Sequence, residues 1–205
     1  MALVLNSFLP WLETPDALQL AGMGQFQELN FDTRCPTGVR GTPPHIELVA
    51  SGPNGVVGAT VRVFDYLAMR PSSLSAAYAS LAVPPSLAPW ASLMRRAMSD
   101  PQDFRYVDIP ALSKLAVGLG RIFVHRPVCL LYLFLEPVDV GHSPAFAGHR
   151  AELARLTELT GASAVPLVAS SFHELWKEWR AGDAPTALKA VASELSRRYA
   201  VAMPS

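Results

Sequence analysis

The sequence has few cysteines, no excess of charge of either sign and no apolar run long enough to cross a membrane. Its two cysteines, Cys35 and Cys129, stand far apart and match no metal-binding or redox spacing. We therefore expect a reducing cytoplasm as the compartment. The longest apolar run, Val128–Leu135, is well short of the ~20 residues that a membrane span needs, so we expect no membrane partner.

The charge balance does not favour tight nucleic-acid binding. Lysine and arginine total 17, and aspartate and glutamate also total 17. Proteins that bind phosphate backbones usually show a basic excess or a basic cluster. The basic doublets, Arg95-Arg96 and Arg197-Arg198, are more typical of solvated helix faces. A local patch can still form in three dimensions, so DNA stays a candidate partner.

Length and composition predict one domain, residues 1–205, with a well-filled core, because half of the residues are hydrophobic. The order of elements is a helix, three strands, helices, a strand, a helix, a strand and helices. This order predicts an α/β or α+β fold with a mixed central sheet of about five strands flanked by helices. The predicted strands are 25–34, 46–51, 56–64, 128–135 and 164–169, the last at an edge because of Pro166.

Helix boundaries follow from capping residues, prolines and glycines. Asp108 is a plausible N-cap, and Ser171 with Glu174 forms a capping box. Gly118 and Gly120 predict the end of the helix that follows Asp108. The predicted helices are 15–21, 74–81, 86–99, 109–119, 144–160, 172–181 and 185–199.

The second and third predicted strands form a hairpin around Pro53-Asn54-Gly55, since Asn and Gly tolerate the positive φ of a short turn. Side chains alternate between the two faces of a strand. One face is therefore expected to be wholly apolar, with Ile46, Leu48, Val57, Ala59, Val61 and Val63. The other face carries His45, Glu47, Thr60, Arg62 and Phe64, which makes it a candidate site.

This hairpin, GTPPHIELVASGPNGVVGATVRVFDYL, resembles the metal-site hairpin of the restriction-endonuclease-like PD-(D/E)XK superfamily. With RYVDIPALSKLAVGL, LLYLFLEP, SFHELWKEW and LSRRYAV, the chain is similar to an uncharacterised bacterial restriction-endonuclease-like family. The resemblance spans most of residues 26–201. It implies two acids on adjacent strands that bind Mg²⁺, and a lysine two residues after the second acid that positions or activates water.

The resemblance assigns the first acid to Glu47, but the second acid falls on Thr60 and the lysine on Arg62. Thr60 is neutral, and Arg62 does not deprotonate at usable pH. Relatives tend to carry Gln and His on the later helix, where this chain has Ala111 and Leu115 and retains Lys114. Together these departures predict loss of catalysis; Mg²⁺ is expected as a cofactor, held by Glu47, only if activity remains.

Each candidate residue also has a structural interpretation. Glu47 and Arg62 can form a remnant metal and phosphate site. More often, two such charges on adjacent strands form an ion pair that adds little to stability. Asp65 is a candidate for a relocated acid, although its strand parity is opposite to that of Thr60. Glu28 can be a helper acid or a solvent-facing strand residue. Lys114 can contact phosphate or lie along the surface with its apolar stem.

Two histidines and two tryptophans need no catalytic role. His149 lies near the apolar stripe of its helix and is expected to be half-buried and hydrogen-bonded. His45 has no second His or Cys at ligand spacing. Trp176 and Trp179 are expected to be core residues.

Three functions remain open from the sequence. The first is a catalytically inactive restriction-endonuclease-like domain that acts as a binding or structural module. The second is a Mg²⁺-dependent nuclease that hydrolyses DNA phosphodiesters with a relocated acid. The third is a protein-interaction module without a role in nucleic-acid binding, which the zero net charge favours.

Overall fold

The computed structural model describes residues 2–68, 73–140 and 143–202 and contains a mixed sheet in the order β1-β2-β3-β4-β5. The pairs β1–β2 and β2–β3 are antiparallel, whereas β4 runs parallel to both β3 and β5. The predicted mixed five-stranded sheet is confirmed, with β5 at an edge. The strands are β1 Glu28–Arg34, β2 His45–Gly52, β3 Gly55–Val63, β4 Val128–Leu135 and β5 Leu167–Ser171.

Helices cover both faces of the sheet, which confirms the α+β class. All residues of β4 are buried, as the two-sided apolar run predicts. In the described ranges the α-helices are α1 Ala2–Phe8, α2 Ala88–Ser99, α3 Ile109–Ile122, α4 Pro144–Thr160, α5 Phe172–Ala181 and α6 Thr186–Arg198. Leu130, Tyr132 and Phe134 of β4 share a core cluster with α2, α3 and α4, while the intervening residues share one with α1, α5 and α6.

Two predicted helices are wrong. Residues 15–21 contain only the 3-10 turn Pro15–Ala17, and residues 74–81 only the 3-10 turn Ala76–Tyr78. Helix nucleation is costly, and segments this short gain little unless a packed face stabilises them. By contrast, the N-terminal helix α1 was not predicted; its Leu3, Val4 and Phe8 are buried in the core cluster that also contains residues of α5 and α6.

The predicted end of α3 at Gly118 and Gly120 is also wrong, because the helix continues to Ile122. Gly118 has a packing role instead. A Cβ there would lie 2.5 Å from the backbone oxygen of Cys35. Glycine thus allows the loop after β1 to approach the helix closely.

The hairpin forms as predicted, with Gly52 opposite Gly55, but its alternation fails at one position. Ile46 belongs to the core cluster under α3, not to the cluster of Leu48 on the other face. The β2–β3 pairing ends at Leu48 and Ala59, and Asp32 on the adjacent β1 has a φ of +53°. Strand parity therefore does not carry through to Ile46.

Within the described ranges, no helix has the length and apolar content to cross a membrane.

Candidate functional site

The four residues that the resemblance singles out meet at one place. Glu47 from β2, Thr60 and Arg62 from β3 and Lys114 from α3 line a depression of about 220 Å³. We call it the Glu47 depression. It lies where the paired part of the hairpin ends and the first half of α3 crosses the sheet.

Arg62 occupies the centre of this arrangement. Its Nη1 lies 3.7 Å from Glu47 Oε1, which is the distance of a loose ion pair. The same nitrogen donates to the hydroxyl of Thr60 at 3.4 Å and to the carbonyl of Val61 at 3.0 Å. The guanidinium thus contacts both positions at which the superfamily pattern requires a metal-binding acid.

Glu47 supplies one carboxylate that is only partly satisfied. Its Oε2 is buried and has no hydrogen-bond partner in the described part of the chain. Thr60, which is 1% exposed, adds a hydroxyl but no charge. A hard divalent cation favours several oxygen ligands with negative charge. Among the described residues, no three His, Cys, Asp or Glu side chains group closely enough to hold a metal.

The wall formed by α3 has the composition predicted from the sequence. Ala111 and Leu115 line the depression beside Lys114. The ammonium of Lys114 lies 5.2 Å from the centre of the Tyr78 ring, which is cation–π distance. Asp108 caps α3 as predicted, since its Oδ1 accepts from the backbone N–H of Ala111 at 2.9 Å.

The other candidate acids do not line the Glu47 depression. Asp65 follows β3 and faces Arg62 from another direction, with Oδ2 3.6 Å from Arg62 Nε. Glu28 is exposed and pairs with Ser51, at the far end of the β1–β2 ladder from His45.

His45 does line the depression, but its Nδ1 is 2.8 Å from Asp32 Oδ1. It therefore forms a surface pair on the strand edge.

His149 is more deeply buried than the sequence predicts. It is 0% exposed, and its Nε2 lies 3.1 Å from the hydroxyl of Tyr132. Burial, with a smaller contribution from the charge of Arg150, lowers the pKa of His149 to about 4. Trp176 and Trp179 are core residues, as predicted.

A larger concavity borders the Glu47 depression and was missed by sequence reasoning. It measures about 440 Å³ and lies between the end of β3, α2 and the start of α3. We call it the Tyr132 cavity, after the buried tyrosine in its wall. Arg62 lines both spaces. No sequence pattern in α2 or in residues 100–110 indicates that these segments enclose a cavity together with β3.

Comparison with known proteins adds no relative. No protein-family model matches the chain, and no curated protein and no solved structure matches it.

Proposed function

We propose that the protein is a catalytically inactive domain of restriction-endonuclease-like architecture that acts as a binding or structural module. One observation carries the proposal. Arg62 donates to Thr60 and lies 3.7 Å from Glu47, so a cation stands between the two positions where a nuclease would hold Mg²⁺. The order of strands and helices supports the architectural part of the proposal.

The chemistry of the three residues supports inactivity. Two-carboxylate sites offset the cost of dehydrating Mg²⁺, but here one of the two charges is replaced by a hydroxyl. The guanidinium of Arg62 is a permanent cation and does not act as a general base. A metal ion in the Glu47 depression would have to displace the Arg62 contact and gain a single carboxylate in return.

A cleavage assay tests inactivity directly. Purified protein is incubated with plasmid and with single-stranded DNA in Mg²⁺ or Mn²⁺, and no cleavage is expected. Metal-dependent cleavage that is lost in Glu47→Ala would overturn the proposal and favour the nuclease with a relocated acid.

Restoring the pattern tests the architecture. In the double variant Thr60→Glu, Arg62→Lys, two acids and a lysine occupy the positions that the superfamily uses. We expect Mn²⁺ to raise its melting temperature and to bind in calorimetry, while the wild type shows neither. The matched control adds Glu47→Gln to the double variant and should lose the effect. If the double variant folds but Mn²⁺ neither raises its melting temperature nor binds in calorimetry, the two strands do not place these side chains in the superfamily's metal geometry.

The binding partner is tested at low salt, where phosphate contacts are strongest. Lys114 and Arg62 offer two cations near the depression, and a gel shift with duplex DNA is the expected result if DNA is the partner. The control is Lys114→Ala, which should weaken the shift. A gel with no shift at low salt favours a protein-interaction module, in keeping with the zero net charge.

We also propose a reducing compartment, the cytoplasm. Both cysteines are free and buried, and burial raises the pKa of each thiol to about 12, which keeps them protonated and unreactive.

A further inference from the structure

The Tyr132 cavity has the size and lining of a small-molecule site. Its volume of about 440 Å³ lies within the roughly 300–1,000 Å³ typical of ligand pockets. Much of its wall is apolar or aromatic, including Leu93, Ala97, Ile109 and Tyr66. Such a wall accepts a flat, apolar body of moderate size.

Arg62 presents an unused hydrogen-bonding edge at this cavity. Its Nη1 donates to Thr60 and Val61, whereas Nε and Nη2 have no hydrogen bond within the described chain. The contact of that edge is Asp65 Oδ2, 3.6 Å from Nε, which is an ion pair and not a hydrogen bond. The Nε–Nη2 edge of arginine fits the two oxygens of a carboxylate. Because the Arg62 side chain is only 19% exposed, a carboxylate bound there would be largely shielded from water.

Tyr132 supplies a second polar group in the wall. It is 1% exposed, and among the residues that the structure describes its hydroxyl hydrogen-bonds with His149 Nε2 alone. His149 Nδ1 has no partner among the described residues. When the imidazole proton is on Nε2, His149 donates to Tyr132, and the phenol O–H is left to donate to an acceptor.

The acidic residues of the wall are largely engaged. Asp103 pairs with Arg96 at 2.6 Å and with Arg155 at 3.1 Å. Asp108 caps α3, and Asp100 Oδ1 accepts from the backbone N–H of Gln102 at 3.2 Å. Among the described acids of the wall, Asp65 is the one that forms an ion pair with Arg62, and this pair is long at 3.6 Å.

We propose that the Tyr132 cavity binds a small organic carboxylate with a flat apolar body. The carboxylate pairs with the Nε–Nη2 edge of Arg62 and accepts from the Tyr132 hydroxyl, while the body packs on the apolar wall. This inference goes beyond the proposed function, because it requires neither a metal nor a nucleic acid.

Three probes of nearly equal shape and different charge test the ligand class. Benzoate, benzamide and benzylamine are titrated into the full chain, with melting temperature and calorimetry as readouts and neither metal nor DNA present. We expect benzoate to bind with a Kd on the order of 1 mM, as its few atoms allow. The amide and the amine should bind at least tenfold more weakly.

Variants identify the residues. Arg62→Gln should weaken benzoate binding by about tenfold, and Tyr132→Phe by about fivefold through loss of one hydrogen bond. Asp65→Asn should strengthen binding, because it removes the competing carboxylate while Asn Oδ1 can still accept from the backbone N–H of Val63. The matched control is Arg95→Gln, an exposed arginine on α2 outside the cavity lining, and it should bind benzoate like the wild type.

The outcomes separate this inference from the proposed function. Benzylamine binding as tightly as benzoate, unchanged benzoate binding in Arg62→Gln, or no benzoate binding at about tenfold the expected Kd would each overturn the inference. None of these results bears on DNA cleavage or Mn²⁺ binding. Conversely, metal-dependent cleavage by the wild type would overturn the proposed function and leave the benzoate result standing.

Discussion

The imidazole of His149 stacks on the phenol ring of Tyr66, with ring centres 3.9 Å apart and planes 15° from parallel. His149 comes from α4, and Tyr66 from the turn that follows β3. The ring of Phe134 stands nearly perpendicular to the same imidazole, at a centre distance of 4.9 Å. A histidine enclosed by aromatic rings is held in its neutral form, because the charged form would lose its hydration.

The first prediction is an acid-dependent loss of stability that depends on His149. The pKa of His149 is about 4 in the fold and 6.5 in a free chain. The unfolded chain therefore binds the proton first as pH falls. Above pH ~6.5 the histidine is neutral in both states and the free energy of unfolding keeps its full value. Between pH ~6.5 and ~4 protonation of the unfolded chain lowers the free energy of unfolding by an amount on the order of 3 kcal/mol.

Urea denaturation across this pH range measures the effect. The slope of unfolding free energy against pH should be shallower in His149→Gln than in the wild type. The matched control is the exposed His125, whose replacement by Gln should leave the slope unchanged. Equal slopes in His149→Gln and the wild type would contradict the prediction.

The second prediction concerns a glycine that should not be replaced. Alanine normally stabilises a helix interior by about 1 kcal/mol relative to glycine. Gly118→Ala should instead destabilise the protein by about 1–3 kcal/mol, since its Cβ would lie 2.5 Å from the Cys35 carbonyl oxygen. Chemical denaturation of Gly161→Ala provides the control, because the nearest atoms there are at 3.5 Å. A higher free energy of unfolding in Gly118→Ala would contradict the close contact between the loop after β1 and α3.

The third prediction concerns the carboxylate of Glu152 on α4. It accepts from three consecutive backbone N–H groups, those of Arg105, Tyr106 and Val107, at 2.7, 2.8 and 3.0 Å. Glu152→Gln places an amide N–H₂ against these donors and should cost about 1–3 kcal/mol.

Glu158→Gln, exposed on the same helix, is the matched control and should be near neutral. Hydrogen exchange at residues 105–107 should accelerate in Glu152→Gln alone. Unchanged protection there would contradict the role of Glu152 in holding this part of the Tyr132 cavity.

The fourth prediction is an asymmetry between the partners of the Glu47–Arg62 ion pair. The pair is long at 3.7 Å, and Glu47 Oε2 is buried with no hydrogen-bond partner in the described part of the chain. Glu47→Gln should therefore change the unfolding free energy by less than about 1 kcal/mol, because it relieves a desolvated charge. Arg62→Met should cost more, about 1–3 kcal/mol, because Glu47 loses its cation and Thr60 a hydrogen-bond donor. A double-mutant cycle checks both values, and equal costs would count against the asymmetry.

Part of the candidate site could be predicted from residue spacing. Thr60 and Arg62 are two positions apart on β3, so their side chains share a face. The hairpin turn places Glu47 of β2 beside the end of β3 that carries them. The proximity of these residues follows from local geometry. Lys114 comes from a helix more than fifty positions later, and the resemblance, not the spacing, predicted its place.

Strong local patterns determined most of the elements. The apolar run of β4 specified a strand covered on both sides, and Ser171 with Glu174 specified the start of α5. These signals act within a few residues, through side-chain alternation and satisfied backbone N–H groups, and need no distant contact.

Tertiary structure alone decided where distant segments meet. It turned Ile46 toward α3, continued α3 through Gly118, enclosed His149 in aromatic rings and left a cavity beside Arg62. Each of these results depends on contacts between segments far apart in sequence, whose approach is set by packing the whole core. The sequence by itself determined which side chains Arg62 could meet on its own hairpin, and only the packing of α2 and α3 decided that Arg62 also lines the Tyr132 cavity.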